Sequence, residues 1–322
     1  MLVAKPRARS SQCSSMTKKI NYPILALIIA NIIWGAASPI FKYSLENISP
    51  FTLAFLRFLI ASCLLYPFIH KKLKMSDLKN KWLWLFSLCA TTFNISFYFL
   101  ALQRTVSINA PIIASAGPIF ILIGSIIWLR EKPKIHVILG LILSLIGIIF
   151  IILEPIINHG VATEIIGNLL LIAATISAAI QVLVGRKILT HENAIPFTFW
   201  VFFIGTITFL PLMLIEYIKD PGILAVIDSR GLTGIIFGGL FSSLAAYILY
   251  HWAIARMQAY KVSVFAYLDP VVAILIAIPL LGEKITVPFI IGSGLVFLGI
   301  LLAEKRLHWH PIHKMFNKDV SC

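Results

Sequence analysis

The sequence predicts an all-α membrane protein with ten transmembrane helices, arranged as two inverted five-helix repeats. Three observations support this fold class: a high apolar content, ten long apolar stretches and an internal repeat. Of the 322 residues, 59% are hydrophobic and 12% are charged, whereas a soluble domain has about 25% charged residues. The length alone would allow two soluble domains, but this composition excludes them.

Ten stretches are apolar over the about 17–25 residues that a helix needs to cross a bilayer. Each is expected to be a helix, because lipid offers no hydrogen-bond partner to open backbone groups. The connections between them are too short for a soluble domain. The predicted spans are residues 22–44, 52–69, 82–101, 107–129, 135–153, 165–185, 197–217, 231–252, 262–281 and 285–303.

The second half of the chain repeats the first. Residues 97–149 align with residues 249–301 at an offset of 152, with 14 identities in 53 positions. Upstream, residues 50–52 return as 196–198. We place the repeats at 24–152 and 165–303. Five spans are an odd number, so consecutive copies must lie in opposite orientations, an arrangement typical of secondary transporters. The alternative is a membrane scaffold in which duplication only adds mass.

The basic residues orient the chain in the lipid bilayer. With the N-terminus inside, 21 Lys and Arg fall on cytoplasmic segments and four on the opposite side. This bias predicts an inner (plasma) membrane protein whose basic tail, 1–20, and C-terminal tail, 304–322, are both cytoplasmic. The net charge of +14 therefore does not predict a nucleic-acid partner. We expect residues 1–15 to be a disordered tail or to precede a natural start at Met16.

Motifs for catalysis, metals and nucleotides are absent from the sequence. It has no HExxH pattern, no Walker loop and no clear nucleophile elbow. The cysteines Cys13, Cys63, Cys89 and Cys322 have no metal or redox spacing. We therefore predict no catalytic residue, no metal and no cofactor, and no self-contained ATP-driven pump. An intramembrane lipid-modifying enzyme remains an alternative, although only isolated titratable groups are found.

The first span has a polar stripe formed by Asn31, Trp34, Ser38 and Lys42. Spacings of three and four residues place all four on one helical face. In lipid such a face turns towards a cavity or a neighbouring helix, so we predict that it lines a substrate cavity. Lys42 lies near the span end, where the alternative is an ammonium group that reaches the outer headgroups.

Two charges lie within other predicted spans. Arg57, in the second span, needs a partner or water because a charge in lipid is costly. It is a candidate cavity residue. The alternative is a purely structural contact of its side chain with a backbone carbonyl or with Glu46. Asp269 is the only acid deep in any span. It could carry a coupling proton, recognise a cationic group, or neutralise Arg57 or Lys261.

Spans 4 and 9 carry the centre of the repeat. Gly117-Pro118 and Asp269-Pro270 fall about ten residues into these spans, near the membrane midplane. Proline frees a carbonyl one turn earlier, so these pairs predict helix breaks at a binding site; a packing kink is the alternative.

Glu131 and Glu283 are repeat equivalents that end the same two spans on opposite membrane sides. Each could form a gate by pairing with a cation of the other half, or could be a solvated helix end.

Further polar residues lie on spans 3, 6 and 8. A cavity with hydrogen-bonding groups on aromatic walls would use them; the alternative is hydrogen bonding between helices without ligand contact. These candidates are Asn94, Tyr98, Gln181, Tyr250 and His251. Gly234 and Gly238 have GxxxG spacing, which indicates close packing within the bundle or, alternatively, a homodimer.

These features together resemble a known family. Trp34-Gly35 with Lys42, Arg57-Phe58, the sequence WLREK at 128–132 and the sequence PLLGEK at 279–284 are similar to the EamA type of the drug/metabolite transporter superfamily. The resemblance implies a ten-helix carrier with a central cavity, often an exporter of amino acids, other metabolites or drugs. The expected partner is a small-molecule substrate, moved by alternating access, with protons as a candidate coupling ion. Nucleotide-sugar and sugar-phosphate exchangers are similar in fold and remain the alternative.

Overall fold

The computed structural model describes residues 22–117, 119–121, 123–124, 135–158, 162–189, 193–222, 227–254, 265 and 268–304. Within these residues every regular element is helical. The helices are α1 (Tyr22–Ser44), α2 (Pro50–Ile69), α3 (Lys81–Ala90), α4 (Thr92–Leu102), α5 (Asn109–Ser115), α6 (Ile135–Asn158), α7 (Ala162–Ile188), α8 (Ala194–Lys219), α9 (Ser229–Ile236), a π-helical segment (Phe237–Ala245), α10 (Ala246–Ile254), α11 (Leu268–Leu281) and α12 (Val287–Glu304).

Six stretches of the described residues are helices long and apolar enough to cross a membrane. They are Tyr22–Ser44, Pro50–Lys72, Lys81–Leu102, Thr163–Gly185, Ala194–Lys219 and Ser229–Ala253. Each coincides with a predicted span, so these six predictions are confirmed. Shorter apolar helices, such as Leu268–Leu281 and Val287–Gly299, occupy the other four predicted positions. The total of ten spans therefore stays a prediction.

Helix starts follow ordinary capping chemistry. The Asp228 carboxylate accepts hydrogen bonds from the backbone N–H groups of Arg230 and Gly231, which begins α9. Asn80 caps α3 in the same way, by accepting from the N–H of Trp82. Pro50 is the first residue of α2. Proline suits this position because an N–H group there would have no hydrogen-bond partner within the helix.

The third span of each half contains an irregular stretch of helix. In the first half a turn at Thr91 separates α3 from α4. In the second half the π-helical segment separates α9 from α10. The repeat offset of 152 maps Thr91 onto Ser243, which lies inside that segment. Both copies thus depart from regular α-helix at the same repeat position, and π-helical turns are frequent at functional sites.

Aromatic rings pack α2 against α8. The ring of Phe58 stacks on those of Phe202 and Phe209, at centroid distances of 6.0 Å each. Phe51, near the start of α2, also packs on Phe209, whereas Tyr66, near its end, packs on Phe199. The two helices are therefore antiparallel, with a buried aromatic seam.

Small residues allow the closest helix contact, between α6 and α12. A Cβ built on Gly147 would lie 2.5 Å from the carbonyl oxygen of Gly292, and one on Gly299 would lie 2.5 Å from that of Gly140. Glycine is required at such points because a side chain would meet backbone. Between these contacts, the hydroxyl of Ser144 donates a hydrogen bond to the carbonyl of Val296 at 3.1 Å. These pairs make α6 and α12 antiparallel.

Candidate functional site

A buried arginine lies at the centre of the candidate site. Arg57, on α2, is 1% exposed. Its Nε donates to the Ser243 hydroxyl at 2.9 Å and its Nη2 to the Ser242 hydroxyl at 3.1 Å. The guanidinium carbon also lies 4.8 Å from the centre of the Phe41 ring, a cation–π distance. The third nitrogen, Nη1, has no hydrogen-bond partner among the described residues.

The two adjacent serines that bind one guanidinium both lie in the π-helical segment. In a regular α-helix, neighbouring side chains point about 100° apart. Here both hydroxyls face Arg57. Gly238, in the same segment, brings the backbone close, since a Cβ at that position would lie 3.2 Å from the Arg57 Cβ. The irregular helix therefore forms the binding surface for the arginine.

Aromatic side chains form the wall beside this arginine. Trp34 packs edge-on against Tyr250, at a centroid distance of 4.7 Å, and against Tyr247, at 5.4 Å. Its indole Nε1 donates to the carbonyl of Ser242 at 3.1 Å. Tyr98, half-buried on α4, lies near both Arg57 and Asp269. The wall thus draws residues from both halves of the chain.

Asp269 supplies the acidic group. It lies in the first turn of α11, and its Oδ1 is buried without a hydrogen-bond partner among the described residues. Its backbone is pressed against α1, because a Cβ on Gly35 would lie 2.8 Å from the Asp269 carbonyl oxygen. The hydroxyl of Ser38, one turn further along α1, is likewise buried and unpaired within the described part of the chain.

An ion pair joins the two halves at one end of the bundle. Lys42 Nζ lies 3.2 Å from Glu283 Oε1 and also donates to the carbonyl of Thr105 at 2.7 Å. The Glu283 carboxylate further accepts bonds from the Ser107 N–H at 2.6 Å, the Ser107 hydroxyl at 3.0 Å and the Ile108 N–H at 3.1 Å. Its side chain is 5% exposed. Glu283 therefore pairs with a cation of the other half, as the gate hypothesis expects, and Lys42 belongs to this end cluster.

Three of the four other predicted cavity residues have local or interhelical hydrogen bonds. Asn31 donates to the Leu27 carbonyl of its own helix at 2.7 Å. Asn94 donates from α4 to the Ala174 carbonyl of α7 at 2.8 Å. His251 is buried, with Nδ1 2.6 Å from the hydroxyl of Thr198, and Gln181 is half-buried on α7. The contacts of Asn94 and His251 agree with the alternative of interhelical hydrogen bonding.

The predicted helix breaks and the second gate residue fall largely outside the described chain. Pro118 and Glu131 lie outside the described residues. Pro270 is buried in the first turn of α11, and residues 266–267 before it are also outside them. At Gly117 a Cβ would meet only the Thr175 methyl group, at 3.8 Å. The break hypothesis therefore stays a prediction.

Sequence reasoning missed the partners of the predicted residues. No role in the site was predicted for Ser242 and Ser243, yet their hydroxyls accept hydrogen bonds from Arg57. Tyr247, three residues before Tyr250, shares its wall. Two adjacent hydroxyl groups in an apolar span could have predicted a polar partner inside the bundle, because lipid offers them no hydrogen-bond partner. The part of the chain that the structure describes contains no group of three or more His, Cys, Asp or Glu side chains suited to a metal ion.

Comparison with known proteins identifies the family. Residues 21–153 and 165–304 each match the EamA-like transporter family. The chain belongs to this family. It is therefore a multi-pass membrane transporter and not an enzyme, in agreement with the predicted class.

Individual relatives carry transporter names. The chain is 32% identical over 287 residues to an uncharacterized transporter of Archaeoglobus fulgidus, covering 88% of this chain and 98% of the relative. It is 22% identical over 299 residues to a probable amino-acid metabolite efflux pump of Escherichia coli, covering 91% and 97%. One crystal structure, 19% identical, matches with a TM-score of 0.61 over 89% of this chain and 98% of that chain, which supports the fold alone.

Proposed function

We propose that this EamA-like transporter exports a small amphipathic metabolite or drug-like solute across the plasma membrane by alternating access. One observation carries the proposal: a basic and an acidic side chain, Arg57 and Asp269, each have a buried polar atom without a hydrogen-bond partner among the described residues. Burying such a group without a partner costs about 1–3 kcal/mol or more when it is charged. In membrane proteins such residues mark substrate or ion pathways.

The chemistry of the two groups defines the solute class. Arg57 Nη1 suits a carboxylate or another anionic group, because a guanidinium binds planar oxygen pairs. Asp269 suits an ammonium group or a coupling proton. The rings of Trp34, Tyr98 and Tyr250 offer an apolar surface near both groups. A solute with an acidic group, a basic group and an apolar body would satisfy all three, and the name of the Escherichia coli relative, an amino-acid metabolite efflux pump, agrees with this class.

Alternating access needs two structurally related halves. The packing of α6 on α12 supports the presence of such halves. Under the repeat offset of 152, Gly140 corresponds to Gly292 and Gly147 to Gly299. The contact of Gly147 with Gly292 is therefore the image of the contact of Gly140 with Gly299. Such reciprocal exchange is what a two-fold axis between the halves produces. It supports the proposed inverted repeat.

The Lys42–Glu283 cluster is the proposed gate at one end. With both termini in the cytoplasm, this end would face outwards, and the contacts of Glu283 with Lys42, Ser107 and Ile108 would hold it closed. Export then requires these contacts to break, while the opposite end closes. Glu131 is proposed to take the corresponding role at the inner end.

Metabolite profiling of cells tests the proposal. Cells with the native chain, with Asp269→Asn and with Arg57→Gln are compared at equal membrane abundance with an empty vector, in medium and cytoplasm. We expect one solute class to accumulate in the medium with the native chain and not with either variant. Glu46→Gln, which removes only an exposed ion pair with Arg230, is the matched control and should export normally.

The outcomes separate the alternatives. Accumulation inside the cell would reverse the direction, and equal flux by the Asp269→Asn variant would remove Asp269 from the mechanism. No difference between the native chain and the vector would contradict export. Retention of flux by Arg57→Gln alone would assign recognition to the acidic group.

A further inference from the structure

A large cavity opens on the flank of the bundle, at the end opposite the Lys42–Glu283 cluster. It lies between the C-terminal part of α2, the start of α8 and the segment from Leu244 to Trp252, and its volume is about 1250 Å³. Pockets for drug-sized ligands usually measure about 300–1000 Å³. The cavity therefore has room for an occupant larger than the solute proposed above.

The lining of this cavity is divided into an apolar and a basic part. Leu65, Phe68, Leu244 and Ile248 line its inner length. Leu64 and Phe68, on the same lining, are 41% and 82% exposed, so the apolar part opens sideways towards the lipid. A ligand could enter it from the bilayer without passing through water.

The basic part lies where α2 leaves the apolar region. Lys72 and Lys74 line the mouth of the cavity, together with the amide of Asn80 and Asp77, the one acid among the described residues that line it. Two ammonium groups against one carboxylate leave a net positive charge. Basic pockets of this kind between transmembrane helices attract anionic lipid headgroups, at about 1 kcal/mol per lysine near the membrane surface.

We propose that this cavity binds one anionic phospholipid. Its phosphate lies against Lys72 and Lys74, and its acyl chains follow Leu244 and Ile248 along the span. Leu244 comes directly after Ser242 and Ser243, which hold Arg57. The bound lipid therefore packs on the same π-helical segment that positions the buried arginine.

Native mass spectrometry of the full chain in detergent tests this site. The protein is titrated with phosphatidylglycerol, with phosphatidylcholine and with glycerol phosphate, and retained adducts are counted. We expect one phosphatidylglycerol to remain bound, with phosphatidylcholine weaker and glycerol phosphate not retained. Since each lysine contributes about a fivefold factor, the double variant Lys72→Gln/Lys74→Gln should bind phosphatidylglycerol about 30-fold more weakly.

Two further variants sharpen the test. Lys71→Gln is the matched control, because Lys71 is exposed on the same turn but does not line the cavity; it should leave binding within twofold. Ile248→Trp should fill the apolar part and weaken binding while both lysines stay. Equal retention of the two phospholipids, competition by glycerol phosphate, or an equal loss in Lys71→Gln would each overturn the proposal.

Discussion

Replacing Glu283 by glutamine should open the closed end of the bundle. The carboxylate accepts hydrogen bonds from four donors: Lys42 Nζ, the Ser107 N–H, the Ser107 hydroxyl and the Ile108 N–H. Glutamine has the same shape but only one acceptor oxygen. If that oxygen keeps its bonds to Lys42 and Ser107, the new NH₂ group faces the Ile108 N–H, and two donors then oppose each other.

The size of the effect follows from these contacts. An unpaired buried donor costs about 1–3 kcal/mol, and bonds to a neutral amide are about half as strong as those to a carboxylate. Lys42 is 27% exposed, so its contribution is reduced by solvent screening. Together these effects destabilise the closed conformation relative to the open one by about 3 kcal/mol. This corresponds to about a 100-fold shift of the equilibrium in favour of the open conformation.

A cysteine beneath the gate measures this shift. Ser38 is buried one turn before Lys42 on α1, so a thiol at this position reacts only when that end opens. Ser38→Cys is placed in a background without the four native cysteines, and its reaction rate with a membrane-impermeant maleimide is followed. The rate should rise by about 100-fold in Glu283→Gln, or to the limit set by a fully open end.

The exposed pair at the same end provides the control. Arg230 and Glu46 lie 2.6 Å apart with side chains about half exposed, so Glu46→Gln should change the labelling rate less than twofold. An unchanged rate in Glu283→Gln would refute the gate. An equal rise in both variants would show that loss of charge at this end, rather than the Glu283 contacts, opens it.

Three further predictions concern packing and recognition. Gly35→Ala should lower the stability of the protein by about 1–3 kcal/mol, because the new methyl meets the α11 backbone; Gly294→Ala, with nothing within 4 Å, should leave the melting temperature in detergent unchanged or higher. Thr198→Val should lower the free energy of unfolding by about 1–3 kcal/mol, measured by thermal unfolding, because the buried His251 ring nitrogen loses its hydroxyl partner. No change would mean that water replaces the hydroxyl. Arg57→Lys should fold but lose at least tenfold in solute flux in proteoliposomes, because an ammonium cannot reproduce the fork of the guanidinium.

The helices were predictable from the sequence because their cause is local. Apolar length decides a membrane span, and the six spans confirmed in the described residues needed nothing else. The pairing of Glu283 with a cation of the other half was also predictable, because the repeat placed that glutamate at a span end. The sequence left open which cation would pair, and the structure selects Lys42, 241 positions away.

The contacts of Arg57 were not predictable in the same way. They depend on a π-helical segment, which the sequence pattern does not distinguish from α-helix. The atoms of Arg57 and Asp269 that have no hydrogen-bond partner among the described residues could be recognised only when the surrounding helices were in place. The sequence predicts that burying these charges is costly. It does not predict which atom of each side chain lacks a hydrogen-bond partner among the described residues.

The hydrogen bond between Ser144 and Val296 bears on how the chain could evolve. The repeat offset makes these two positions equivalents of each other, so in a dimer of identical single-repeat chains both would carry the same residue. Fusion into one polypeptide removes that identity constraint. A hydroxyl can then face a bare carbonyl. Likewise, one half can have Arg57 while the other has Phe203, its equivalent under the offset of 146 that relates residues 50–52 to 196–198. A mutation in this chain therefore alters one position at a time, so selection could adjust the two halves separately, which an ancestral homodimer could not do.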